Sequence, residues 1–256
     1  MTTNTRGARK SWQYLLSGFK LLPHPSLRWY VFGPLLINIL IFIFLTGYLM
    51  GEFQQAINWI MGYVPAWLDF IRWIFWLLFG GIVLIVYGYT FAILATFIAS
   101  PFYGLLSEQA EYLVSGEKRD EPLTFRLAWQ IAKRSVWREL VKMGYFLPRI
   151  IGIFILSLAL SFIPLVNFLG PLLTFLWGAW SLSLQYCDYA ADNNQVSFPQ
   201  LRQQASRQKA TCFGFGGIVL LTTSIPVLNL FAIPASVVGG TALWVEQLRD
   251  NKDLQQ

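Results

Sequence analysis

Four stretches of the chain carry no charged residue: Trp29–Gly51, Trp73–Ser107, Ile150–Cys187 and Ala210–Val245. A helix facing water needs a polar stripe, so runs of this length dictate burial in lipid or in protein. The first run has 23 residues. At about 1.5 Å per residue it reaches roughly 35 Å, enough to cross roughly 30 Å of hydrocarbon with some tilt. Composition agrees, with 55% hydrophobic and only 12% charged residues, where a soluble domain carries roughly a quarter charged. That argues against an ordinary soluble enzyme, a disordered chain and a nucleic-acid binder. The chain reads as an all-α integral membrane protein.

The second run is too long for one span, and Ser100-Pro101 offers a helix start with Ser as cap and Pro in the first turn. The expected division is a tilted span over 73–99 and a new helix from Pro101 that ends at Gly116. The third and fourth runs are each broken in the middle, by Ile163-Pro164-Leu165-Val166-Asn167 before Pro171 and by Ile225-Pro226-Val227-Leu228-Asn229 before Pro234. Proline lacks a backbone donor and disfavours helix at the residue before it, so each run predicts helix, turn, helix. The arm Ile150–Ile163 is 14 residues long, about 21 Å, short of the hydrocarbon thickness. These two related segments are therefore expected to enter and return as re-entrant, partly penetrating hairpins. Paired Pro-interrupted apolar segments also point to a transport site, the alternative being hairpins buried in protein.

The layout that follows is a single membrane domain over 1–256. It has a cytoplasmic interfacial helix in 1–28, spans at 29–51 and 73–99, and cytoplasmic or interfacial helices in 101–149. Hairpins follow at 150–187 and 210–245, then a tail at 246–256. Of the 19 Lys and Arg residues, Arg72 alone lies between the first two spans. The positive-inside rule then places both termini in the cytoplasm, and the +6 net charge marks that side. Cys187 and Cys212 are expected there as free thiols. Two segments have amphipathic spacing: Trp12, Leu15, Leu16 and Phe19, and a longer stripe of Phe125, Trp129, Ala132, Val136, Leu140 and Met143. The second is opposed by Arg126, Lys133, Arg134, Arg138 and Lys142. Such helices lie at headgroups or pack on a partner helix, and Pro148 predicts a bend before the first hairpin.

Signals for enzyme chemistry are nearly absent. No G-x-x-x-x-G-K-[ST] occurs, so ATP-driven transport by this chain alone is not expected. One histidine and two cysteines argue against a metal cluster, and no cofactor is expected. Gly214-Phe215-Gly216-Gly217 follows no strand and reads as small residues for close helix packing. Glu108 and Glu111, beside Gln109, lie one helical turn apart. They fit either a solvated helix face or a charged pore constriction, with Arg149 as a candidate partner. His24-Pro25-Ser26-Leu27-Arg28 is the most suggestive site. Proline in the first turn leaves the N–H groups of Ser26, Leu27 and Arg28 at a helix start, where the dipole favours an anion. Arg28 adds fixed donors suited to a tetrahedral oxyanion; the alternative is an arginine snorkelling to lipid headgroups.

With those residues in view, the chain resembles the CysZ family of bacterial sulfate permeases. The resemblance rests on Gly33-Pro34-Leu35-Leu36-Ile37-Asn38, on Ala99-Ser100-Pro101-Phe102-Tyr103-Gly104-Leu105-Leu106-Ser107-Glu108-Gln109, on Gln185-Tyr186-Cys187-Asp188-Tyr189 and on Ile225-Pro226-Val227-Leu228-Asn229-Leu230-Phe231, in order along nearly the whole chain. It implies ATP-independent sulfate uptake, by channel or carrier, across the bacterial inner membrane to feed sulfate assimilation and cysteine biosynthesis. The runner-up is a membrane-embedded scaffold or assembly subunit of a sulfate-assimilation complex without flux of its own. The resemblance further implies two full spans with partly penetrating hairpins, a homo-oligomer, and an oxyanion site similar to a Gly-Leu/Ile-Arg turn. Here that turn reads Ser26-Leu27-Arg28, with Trp29 where some relatives carry a second Arg. Sulfate, with sulfite or thiosulfate as further substrates, is expected to be captured there. It then passes Glu108, Gln109, Glu111 and Arg149 and the Asn167 and Asn229 hairpin turns. Lipid is the other partner, and no nucleic acid is expected.

Overall fold

The structure is a computed structural model that describes residues 10–63, 72–116 and 124–249. Among these residues every regular element is helical. In chain order they are α1 (Ser11–Leu21), α2 (Pro25–Gly62), α3 (Arg72–Ser115), α4 (Phe125–Ser161), α5 (Leu169–Asn193), α6 (Phe198–Arg207), α7 (Lys209–Thr223) and α8 (Pro226–Leu243). A π-helical turn, Trp244–Leu248, follows. Four segments are long and apolar enough to cross a membrane: Pro25–Ala56, Gly80–Ser115, Lys133–Ser161 and Leu228–Leu248. The expected all-α membrane class is what the chain adopts. Residues 1–9, 64–71, 117–123 and 250–256 lie outside the described residues.

The helix start expected at Pro101 is absent, and the helix runs on through Pro148. Pro101 lies inside α3, and Pro148 lies inside α4. The arm that begins at Ile150 is thus the end of a 37-residue helix, roughly 55 Å long. Each proline removes one bond of a long ladder. In an apolar setting no water competes for the remaining bonds, so the helix continues. Gly116 does end α3, at φ 75°, the left-handed conformation glycine adopts without strain.

The two Ile-Pro turns share sequence but not shape. Pro226 opens α8 directly after Ile225 in extended geometry. Pro164 instead leads into Leu165 at φ 74°, and helix resumes only at Leu169. The spacing of the second proline distinguishes them: Pro171 falls in the first turn of α5, whereas Pro234 lies within α8.

The chain divides into two compact units, Phe32–Ala99 and Met1–Val31 with Ser100–Gln256. In the first, α2 and α3 are tied by a Thr46–Tyr87 side-chain hydrogen bond of 2.7 Å and an edge-to-face Phe42–Phe91 contact at 5.2 Å. Their outer side chains, among them Leu36, Phe44, Leu84 and Tyr89, are exposed, as lipid-facing side chains of spans should be.

The second unit holds the core, where α1, α5, α7 and α8 pack at backbone distance through glycines. A Cβ added at Gly216 would overlap the Ala179 carbonyl, and one at Gly240 would lie 2.7 Å from the Tyr186 carbonyl. The Gly214–Gly217 run is therefore a packing surface between α7 and its neighbours, as its composition suggested. Gly216→Ala is expected to destabilise the protein by about 3 kcal/mol, because backbone rather than a side chain must yield. Thermal melting in detergent checks this, and an unchanged midpoint would show that α5 and α7 pack less closely. Helix α1 docks on α8 by Tyr14, Leu15 and Gly18, and leaves Trp12 and Leu16 exposed. Gly47 and Gly51 on α2 face open space.

Candidate functional site

The start of α2 is built by His24. Its carbonyl accepts the Leu27 N–H at 3.0 Å and its Nδ1 accepts the Ser26 N–H at 3.3 Å. Two of the donors expected to be open to an anion are therefore engaged within the turn. The Arg28 Nε donates to the Pro23 carbonyl at 3.0 Å, which bends the guanidinium back over the same turn. Ser26 and Arg28 are exposed while Leu27 is fully buried. Leu27 and Val31 share one core with Leu106 and Ala110 of α3, so the Arg28 turn is anchored to the Glu108 segment through apolar contacts.

Glu108 is buried and accepts a hydrogen bond from the Tyr112 hydroxyl at 3.1 Å. Glu111 is held from two distant elements. The Asn194 amide donates to Oε2 at 2.9 Å, and Arg249 Nη1 lies 3.4 Å from Oε1. The arginine that meets this carboxylate is Arg249, not Arg149. Gln109 is half-buried on the same helix. Arg149 donates to the Tyr145 carbonyl at 2.8 Å and stacks on the Tyr145 ring. Asn167 is exposed in the first hairpin turn; Asn229 sits in the first turn of α8 with its Oδ1 buried and without a hydrogen-bond partner among the described residues. The structure thus places the α2 turn and the Glu108 segment in one core.

Sequence reasoning missed the largest polar assembly. Arg134, Arg138 and Lys142 recur every fourth residue of α4, and Gln185, Asp188, Tyr189 and Asp192 share one face of α5 by i, i+3, i+4, i+7 spacing. Arg138 grips Asp188 with two nitrogens, at 3.0 and 2.7 Å, and also donates to the Val196 carbonyl. Lys142, only 1% exposed, lies 2.6 Å from Glu139 and 3.4 Å from Asp188. Glu139 further accepts from Tyr189 at 3.1 Å and from Gln185 at 3.3 Å, and Arg134 meets Asp192 at 3.1 Å. Three cations balance three carboxylates. The apolar stripe of α4 faces outward instead, with Trp129 and Leu140 exposed. Arg134, Arg138 and Lys142 thus turn toward α5, while Arg126 and Lys133 stay exposed.

Burial holds the Asp192 carboxyl above its ordinary range, and outweighs Arg134 and Arg138, which pull it down. The sign follows. A carboxyl raised on folding favours the folded state more as pH falls from above its folded value toward 3.8. Asp192→Asn is therefore expected to remove that gain, so that stability falls more steeply on acidification toward pH 3.8 than in the unaltered protein, measured by detergent melting. An unchanged profile would place that titration elsewhere.

Comparison with known proteins adds a family. A family model described as Sulfate transporter CysZ/Etoposide-induced protein 2.4 matches residues 14–234. Among similar proteins, one from Pseudomonas aeruginosa PAO1 named sulfate transporter CysZ is 37% identical over 92% of this chain and 94% of its own length. A protein of the same name from Pseudomonas fluorescens Pf0-1 is 39% identical over 92% of each chain. The one from Pseudomonas paraeruginosa PA7 is 38% identical over 92% of this chain and 94% of its own.

Proposed function

Because the chain belongs to the sulfate transporter CysZ/etoposide-induced protein 2.4 family, we propose that it takes up sulfate across the bacterial inner membrane without ATP hydrolysis. The observation that carries this reading is similarity along nearly the whole chain to proteins named as sulfate transporters. Four helices able to span a membrane give the chain a scaffold for such a role. Both termini lie in the cytoplasm, the subunits assemble as a homo-oligomer, and the two Ile-Pro hairpins penetrate the bilayer only in part. The sulfate taken up feeds assimilation into cysteine, and the chain itself carries out no catalysis.

Sulfate is captured at the Ser26-Leu27-Arg28 turn, where a guanidinium and the helix dipole attract a dianion. It displaces the weak 3.3 Å Ser26 to His24 bond and takes that N–H for itself. Glu108, Gln109 and Glu111 line the route beyond, with Asn167 and Asn229 at later stations. The deciding experiment is radiolabelled sulfate uptake by the purified protein in liposomes, competed with sulfite, thiosulfate and phosphate. Saturable uptake blocked by the sulfur oxyanions is the expected result, and no flux above empty liposomes would end the proposal. Glu108→Gln keeps the side-chain shape and removes the charge. It is expected to lower flux by roughly tenfold at equal expression, the effect of losing about 1.4 kcal/mol. Unchanged flux would return Glu108 to a packing role.

A further inference from the structure

Arg149 and Arg202 are far apart in sequence yet converge on one aromatic ring. Their guanidinium carbons lie 3.9 and 4.5 Å from the centre of the Tyr145 ring. No carboxylate meets either one among the described residues. Arg149 is exposed and its hydrogen bond goes to the Tyr145 carbonyl; the Arg202 Nε is buried without a hydrogen-bond partner. In the same unit Arg134, Arg138, Lys142 and Arg249 each stand against an acid. Two guanidiniums on one ring without a counter-charge among the described residues present fork donors to an anion at the rim of that ring.

An apolar groove adjoins this pair. It encloses about 350 Å³ and is lined by Ile153, Leu176, Trp177, Trp180 and Phe213, with Lys209 at its margin. Ile153 stands one helical turn beyond Arg149, on the same stripe of α4. The Trp177 ring centre lies 5.9 Å from that of Tyr145, so the groove and the arginine-flanked ring share a wall. Depth fits as well. Arg149 is the last charged residue before the charge-free Ile150–Cys187 run, and Ile150, Ile151 and Phe154 next to it are exposed, as at the edge of the hydrocarbon. A free oxyanion has no use for the groove, and a neutral lipid has no use for the paired guanidiniums.

We infer that Arg149 and Arg202 bind the headgroup phosphate of an anionic phospholipid, one acyl chain of which lies in the groove past Ile153 and Trp177. The test is native mass spectrometry of the purified full chain in detergent. It is titrated with phosphatidylglycerol or phosphatidylcholine of identical acyl chains, and in a separate arm with inorganic sulfate and phosphate. Phosphatidylglycerol is expected to be held roughly tenfold or more over phosphatidylcholine, as charge-assisted hydrogen bonds imply. The Arg149→Ala, Arg202→Ala double variant loses that preference, and Ile153→Trp, which fills the groove, weakens both lipids. Equal binding of the two lipids by the unaltered protein, or a preference that survives the double variant, overturns the assignment. So does displacement of phosphatidylglycerol by inorganic sulfate or phosphate at matched concentration. Where the alanine variant does not fold, the Arg149→Lys, Arg202→Lys pair decides. It keeps the charge but loses the guanidinium fork, so a preference reduced severalfold supports the site and an undiminished one overturns it.

Discussion

Replacing Arg28 with alanine is expected to weaken sulfate binding by about 10- to 150-fold, the equivalent of losing a hydrogen bond to a charged group worth about 1.5–3 kcal/mol. The turn itself should survive. Its anchor is Leu27, fully buried in the core with Leu106 and Ala110, and its backbone is closed by His24 rather than by Arg28. What disappears is a guanidinium whose Nε is fixed on the Pro23 carbonyl while its terminal nitrogens remain available to an anion among the described residues. Arg28→Lys retains the charge and loses the fork, so it should fall between the two. Because the site is exposed, both the affinity and the size of the arginine effect should shrink as ionic strength rises. Isothermal titration with sulfate and flux in liposomes read the same variant independently. Unaltered affinity and flux in Arg28→Ala would mean that capture occurs elsewhere.

The spans and helical hairpins were legible because length and the absence of charge leave few alternatives in a bilayer. The interruptions were less so. Pro164 and Pro226 do mark turns, whereas Pro101 and Pro148 are carried inside helices. Proline spoils one donor and biases one residue, and whether the helix yields depends on packing across the element, which is not written locally. The orientation of α4 was hidden for a related reason. Amphipathic spacing names two faces but not which one meets protein, since in lipid the apolar face is the solvated one. One clue was available. Gln185-Tyr186-Cys187-Asp188-Tyr189 places an acid and two hydrogen-bonding side chains at spacings that match the α4 cations, and it lies at the end of a charge-free run. The Glu111–Arg249 contact gave no such clue, since 138 residues separate its partners. At the candidate site, the residues of the α2 turn were identifiable from Pro25 and Arg28. His24, immediately before Pro25, stands where a helix cap or an interface residue is expected, and it caps the turn by accepting the Ser26 and Leu27 N–H groups.

The largest stability effect is expected at Asp188. This carboxylate is fully buried between Arg138 and Lys142, with contacts of 2.7 and 3.4 Å. Asp188→Ala strips Arg138 of its forked carboxylate beside a cavity and leaves Lys142 with Glu139, a loss of about 3–5 kcal/mol for a buried pair broken on one side. Asp192→Ala should cost less. Its arginine, Arg134, is partly exposed, and burial already disfavours the ionised form of Asp192. A double-mutant cycle separates pairing from packing. If the loss in Asp188→Ala comes from stranded charge, Arg138→Met added to it recovers part of the stability. If it comes from the cavity alone, the two losses add. Denaturant or thermal melting in detergent distinguishes these outcomes, and equal losses at Asp188 and Asp192 would contradict the ranking by burial. The expected ordering bears on why α4 turns charge inward at all. A helix with lipid on its outer face is held only weakly by apolar contacts, because tails and side chains are equally apolar. The Arg138–Asp188 fork and the Lys142–Asp188 contact instead fix which turn of α4 meets which turn of α5, and a rescue by Arg138→Met that restored stability but lost flux would assign that register to transport.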